Sequence, residues 1–282
     1  MYPTLFTIGK WNIPTYTVLL DLGLILGLVL TYFEGKRLLG RGDTALDLGL
    51  WAVIGGIVGG RIGYVLANWS VFGEDWGRAL RIWEGGLSFH GAFLGGLLAI
   101  FIFALVHRRG EEMQGEAQRS RSVVTHTLEL GDVLTLGLAL GLVFGWAACL
   151  MGGCAYGVVG KGFGYVILPD LYGVEAPRFA TQVVGVAYTL VLFAGFWLMR
   201  KHWPFRGAAL LMYVLLYFAG MFLLEFTRGD EAVYLGPWRL AQTIDLALAL
   251  VAAVGLLVLW WQAGREAEEP EEAEEIEGNG TP

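Results

Sequence analysis

Residues 46–67 read LDLGLWAVIGGIVGGRIGYVLA, with one carboxylate near the start and one guanidinium near the end. A run of this length and apolarity suits a helix crossing the hydrocarbon core of a bilayer, which takes roughly 20 residues. Six further segments meet the same standard: 14–33, 87–106, 133–151, 180–199, 207–226 and 240–261. The 282-residue chain is 56% hydrophobic and only 16% charged, too little polar surface to cover a soluble domain of that size. The expected fold is an all-α integral membrane protein of about seven transmembrane helices, with 1–265 as its membrane domain.

The formal charge of −7 comes mostly from a Glu-rich tail, 266–282. Such a tail is expected to be solvated and disordered. No basic stripe points to nucleic acid. Residues 1–13 lack the basic start and small-residue cleavage site of a signal peptide, so the first apolar segment is expected to be retained. Glycines recur within the segments, as at Gly59-Gly60, Gly91 with Gly95-Gly96, and Gly137, Gly141 and Gly145. Small residues four apart let helix backbones approach closely in lipid.

Orientation follows from Lys and Arg in the loops. The first, third and fifth loops hold Lys36, Arg37, Arg41, Arg108, Arg109, Arg119, Arg121, Arg200, Lys201 and Arg206. The others hold Arg78, Arg81, Lys161, Arg178, Arg228 and Arg239. The richer set is expected at the cytoplasmic face, which puts the N-terminus outside and the C-terminus inside.

That topology gathers the unusual polar residues at the outer face. Arg61 lies near the outer end of the second helix and His90 in the first turn of the third. Cys149, Cys154 and Tyr156 lie at or past the end of the fourth; Arg178, Thr181 and Gln182 open the fifth. Glu225 and Arg228 close the sixth, Gln242, Thr243 and Asp245 open the seventh, and Asp21 sits in the outer half of the first. Each has a plain structural reading. Arg61 either snorkels to the headgroups or turns inward, and its flanking glycines favour the inward course. Glu225 and Arg228 are spaced to pair with each other. Gln242 and Thr243 suit interhelical hydrogen bonds. Cys149 and Cys154 are about 140° apart around an ideal helix, so a redox pair requires unwinding at Gly152-Gly153; otherwise they are small inert residues, the reading expected here. Helix interiors toward the cytoplasmic ends look apolar, which disfavours a channel or transporter.

A histidine that titrates near neutral pH, beside arginines in a greasy surround, suits a phospholipid headgroup held by arginine next to a general base. No metal constellation, Walker loop, GxSxG elbow or HExxH motif occurs in the sequence.

The run Gly59-Gly60-Arg61-Ile62-Gly63-Tyr64-Val65-Leu66, followed by Trp83-Glu84-Gly85-Gly86-Leu87-Ser88-Phe89-His90-Gly91, closely resembles the prolipoprotein diacylglyceryl transferases of bacteria. Weaker echoes are Pro177-Arg178 with Thr181-Gln182, Glu225-Phe226-Thr227-Arg228 and Ala241-Gln242. The resemblance implies a plasma-membrane enzyme, its site facing the periplasm or cell exterior. It would move a diacylglyceryl group from phosphatidylglycerol to the lipobox cysteine of a prolipoprotein, releasing glycerol phosphate. Its partners would be that lipid, the prolipoprotein signal peptide and the surrounding membrane lipids, with no cofactor. By resemblance His90 deprotonates the thiol or organises the site, Arg61 and Arg228 hold the phosphate, and Glu225 orients Arg228. Tyr16, Ser88, Arg178, Gln182 and Gln242 would line the substrate site.

The chain also departs from the family. The family signature Gly-Arg-x-x-Asn-Phe-x-Asn-Gly-Glu falls on Gly145 to Cys154, so its arginine is Trp146, its first asparagine Cys149 and its glutamate Cys154. A second family arginine falls on Met221, and a family glutamate near Gly185. These substitutions keep open an alternative: a divergent member that binds or modifies phospholipid with another acceptor, or that has lost transferase activity.

Overall fold

The computed structural model describes residues 4–9, 11–73, 76–113 and 122–278. Among these, seven helices are long and apolar enough to cross a membrane. They are α1 (Thr15–Leu38), α2 (Gly42–Ala67), α4 (Phe89–Met113), α5 (Val123–Gly152), α6 (Thr181–Met199), α7 (Ala208–Glu225) and α8 (Leu240–Gly278). A one-turn helix, α3 (Trp69–Phe72), follows α2. Arg119 and Arg121 lie outside the described residues, as do the side chains of Arg108, Arg109 and the acidic tail from 266.

The helices outrun the apolar segments at one end. The fourth begins at Val123, ten residues before the uncharged run at 133, and takes in His126, Glu129 and Asp132. The Ser122 hydroxyl caps it by accepting from the Val124 N–H at 3.2 Å. Asp132 in turn accepts from the Gly207 and Leu210 N–H groups at 2.6 and 2.8 Å, satisfying orphan donors at the start of α7. Hydropathy finds only the stretch in hydrocarbon; a helix continues wherever its polar side chains find partners.

The glycines set which helices meet. α2 packs most closely on α4, α1 on α5, and α7 on α8. A Cβ at Gly59 would overlap the Gly91 carbonyl and the Gly95 backbone. At Gly27 it would stand 2.8 Å from the Gly137 carbonyl. Backbones are in contact there, so dispersion between main chains replaces side-chain packing.

The all-α expectation needs one addition. Among the described residues three antiparallel hairpins occur, β1 (Thr4–Ile8) with β2 (Trp11–Pro14), β3 (Tyr165–Pro169) with β4 (Glu175–Phe179), and β5 (Tyr234–Leu235) with β6 (Trp238–Arg239). All sit at the end of the bundle where α1, α4, α6 and α8 begin. Among the described residues, the links at the other end are short, such as 39–41 between α1 and α2. Among the described residues, one end therefore carries nearly all the built loop structure.

Between the ends lies an apolar cavity of about 240 Å³, bordered by Gly27, Gly137, Ala92 and Phe93. The far end is not apolar as expected. A second cavity of about 420 Å³ opens there beside Glu34, Arg37, Asp132, Arg200 and Arg206. Glu34 is buried and bonded by Arg37, and Arg206 pairs with Glu129. These charges escaped a hydropathy reading because they lie where the helices leave the apolar stretch.

Candidate active site

Arg61 is 7% exposed, on the last turns of α2. All five of its N–H groups donate to backbone carbonyls: Nε to Ala79 at 2.8 Å, Nη1 to Gly85 and Gly86, Nη2 to Arg78 and Arg81. The Tyr64 and Phe72 rings lie against the guanidinium. The structure shows the inward course, and in this arrangement no donor of Arg61 is left over for a phosphate. With every donor used, this side chain folds the loop between α3 and α4 around itself. Gly85 and Gly86 take positive φ (85° and 84°), which turns their carbonyls onto the charge. Ser88 completes the fold. Its N–H donates to the Gly60 carbonyl at 2.9 Å, and its hydroxyl accepts from Gly91 at 3.3 Å as α4 begins.

His90 follows two residues later. Its Nε2 lies 2.7 Å from Oδ1 of Asp245, a residue 2% exposed on the second turn of α8. Phe89 and Phe218 flank the imidazole.

Arg239, Gln242 and Asp245 recur every three residues and are all buried. At the loop end of that face, Arg228 and Arg239 form a four-membered ion network with Glu225 and Asp230. Arg228 donates to Glu225 and, through two bonds of 2.9 and 2.5 Å, to Asp230. Arg239 donates to Asp230 at 2.8 Å, and its Nε stands 2.8 Å from Glu225 Oε2 without hydrogen-bond alignment. Two positive and two negative groups balance, which offsets the cost of burying Glu225 and Arg239 and half-burying Arg228 and Asp230. Burial pushes the Asp230 carboxyl up, but bonds from Arg228 first and then Arg239 outweigh it and hold the group below its usual range. Burial likewise opposes the Arg228 charge, and the two carboxylates overcome it. The expected Glu225–Arg228 pair forms. Arg239 and Asp230 were missed because a loop arginine and a loop aspartate carry no periodic signal.

The remaining residues knit the loops together. Gln242 accepts from the Arg239 N–H at 3.0 Å. Thr181 bonds Thr227 at 3.0 Å. Gln182 donates to the Cys154 carbonyl at 3.0 Å, while its buried Oε1 has no partner among the described residues. Arg178 pairs with Asp170 at 2.8 Å and lies over the Tyr156 ring. Tyr16 packs beside Gly152 at the end of α5. Asp21 faces outward and joins none of this.

Cys149 and Cys154 are joined in a disulfide, with Cα atoms 4.7 Å apart. The inert reading is corrected: α5 stops at Gly152, and Gly153 takes a left-handed φ of 74° that folds Cys154 back over the last turn. Residues 154–160 then cross to the network, where Val158 donates to the Thr227 carbonyl and Gly229 to the Tyr156 carbonyl. The Trp146 ring packs against Gly185, where a Cβ would overlap it. Met221 is buried in the apolar cluster with Tyr217 and Phe218.

One end of the bundle therefore holds a carboxylate-bonded imidazole and a balanced arginine network above an apolar cavity. The model for the family described as prolipoprotein diacylglyceryl transferase matches residues 3–261. The chain is 31% identical over 278 residues to the phosphatidylglycerol–prolipoprotein diacylglyceryl transferase of Gloeobacter violaceus, covering 94% of each chain. It is 29% identical over 246 residues to the protein of that name from Clostridioides difficile, covering 86% of this chain and 88% of the relative.

Proposed function

The chain belongs to the prolipoprotein diacylglyceryl transferase family, and from that premise we propose that it transfers a diacylglyceryl group from phosphatidylglycerol to the lipobox cysteine of a prolipoprotein, at the outer face of the bacterial plasma membrane. The observation that carries this reading is the imidazole of His90, bonded to Asp245 at the end of a helix whose next turn, Phe93, borders an apolar cavity. The cavity suits acyl chains. The imidazole suits a thiol that must lose its proton before it attacks.

Arg228 is the better candidate for the lipid phosphate than Arg61. Its side chain is 24% exposed, and three bonds to Glu225 and Asp230 leave two of its five N–H groups over. Those two can be offered to phosphate oxygens without breaking the network. Glu225 and Asp230 hold the guanidinium in place, the orienting role expected of Glu225. Arg61 acts at one remove, shaping the loop that ends at Ser88 and His90. The signal peptide would reach the site from the bilayer, where lipid and peptide both reside.

The test is purified protein with phosphatidylglycerol vesicles and a lipobox peptide. The peptide cysteine should gain the mass of a diacylglyceryl group, and His90→Ala should lower the rate by about 100-fold or more. An unmodified peptide with the wild-type protein overturns the reading. A second reading, a phospholipid site serving another acceptor, is favoured by apolar Trp146 and Met221 where the family resemblance places arginines. Lipid consumed without peptide modification is its signature in the same assay.

A further inference from the structure

We propose that Asp245 is a positioning residue that commits Nε2 of His90 to carrying hydrogen and leaves Nδ1 as the atom that takes the thiol proton. The inference rests on the transferase reading and deepens it.

The two residues are 155 positions apart in sequence, and only the packing of α4 near α8 brings them to 2.7 Å. A carboxylate can only accept, so the bond requires hydrogen on Nε2, and the lone pair of the neutral ring must then lie on Nδ1. Among the described residues no other side chain hydrogen-bonds this ring.

Charge bookkeeping points the same way. Arg228 and Arg239 are matched by Glu225 and Asp230, and Arg178 by Asp170. Among the described residues Asp245 has no arginine or lysine within salt-bridge distance, and His90 is its partner. A buried carboxylate without a counterion is costly, and the imidazolium formed at His90 supplies one. The same contact that fixes the tautomer therefore stabilises the charge that appears on proton transfer.

The step balances. The thiol proton passes to Nδ1, and the sulfur forms a C–S bond to the glyceryl carbon. The C–O bond from that carbon to the phosphate breaks, and its electron pair leaves on glycerol phosphate. The ring then returns its proton to solvent, with no oxidant or reductant involved.

Two measurements test this. The first is the 15N spectrum of His90 in the wild-type protein, assigned by loss of its signal in His90→Ala, at a pH where the ring is neutral. The Nε2–H tautomer is expected, and an Nδ1–H ring overturns the inference. The second is Asp245→Asn, which keeps size and packing. Its kcat should fall about 100-fold or more, with KM for lipid and peptide within threefold of wild type. A kcat within threefold of wild type would reduce Asp245 to a helix tie. If wild-type protein leaves every lipobox peptide unmodified, the transferase reading fails, whereas the wild-type spectrum still decides the pairing.

Discussion

Replacing Arg61 by lysine removes at least two of five bonds, because an ammonium has three donors and no planar fork. Each bond to a charged donor is worth about 1.5–3 kcal/mol. The loop 76–88 should open, and proteolysis within 76–86 should become several-fold faster while the helices stay intact. Transfer should fall as well, since Ser88 and His90 follow that loop directly. Asp230 yields a pH prediction. Its carboxyl is held below the ordinary value of 3.8, so its contribution to stability is complete above about pH 4 and is lost as pH falls through the lowered value. Thermal melts in detergent should show an acid limb below about pH 4 that Asp230→Asn removes. That variant should also melt lower at neutral pH, since it leaves two guanidiniums facing one carboxylate. Single residues were legible here mainly as types. Arg61, His90 and Glu225 stand out as charges in apolar runs, but whether a donor meets a substrate or a carbonyl depends on loops that no periodicity describes.

Among the elements, the turn after α5 depends on its disulfide. Chain entropy assigns so short a closed loop about 2 kcal/mol. A reductant should therefore lower the melting temperature of wild type, and Cys149→Ser with Cys154→Ser should melt at the reduced value in either condition. The seam of α2 on α4 makes a harder demand. Gly95→Leu places a side chain where the Gly55 carbonyl and Gly59 backbone lie, and the two helices must part. The expected outcome is loss of folded protein, read by size-exclusion profile and yield. Helix positions were readable within a few residues at the apolar ends. The hairpin β3–β4 and the extension of α5 to Val123 were not, because short strands and polar helical turns resemble loop sequence.

For the whole molecule, the loop charges predict sidedness. A cysteine at Lys161 should react with an impermeant thiol reagent added to intact spheroplasts, and a cysteine at Lys201 should not; the reverse pattern would invert the topology. The two positions lie at opposite ends of the bundle, so one labelling experiment orients every helix. The cavity between the ends, bordered by Gly27, Gly137 and Phe93, is lined by apolar groups except for the hydroxyls of Thr31 and Thr135 and has no charged side chain, which suits a lipid enzyme better than a conduit.

By itself the chain's order of residues determined the membrane class, the seven apolar spans and the small-residue seams. Those properties are local, set by hydropathy over about 20 residues and by glycines one helical turn apart. It also pointed to the end of the bundle where polar groups collect. Only the tertiary structure decided what those groups do: that Arg61 is consumed by its own loop, that Cys149 and Cys154 join, and that His90 finds Asp245. Arg61 meets the carbonyls of an irregular loop, Cys149 meets a sulfur folded back past the helix end, and His90 meets a side chain from another helix. Such contacts act over about 3 Å or less, a distance that spacing along a chain does not encode.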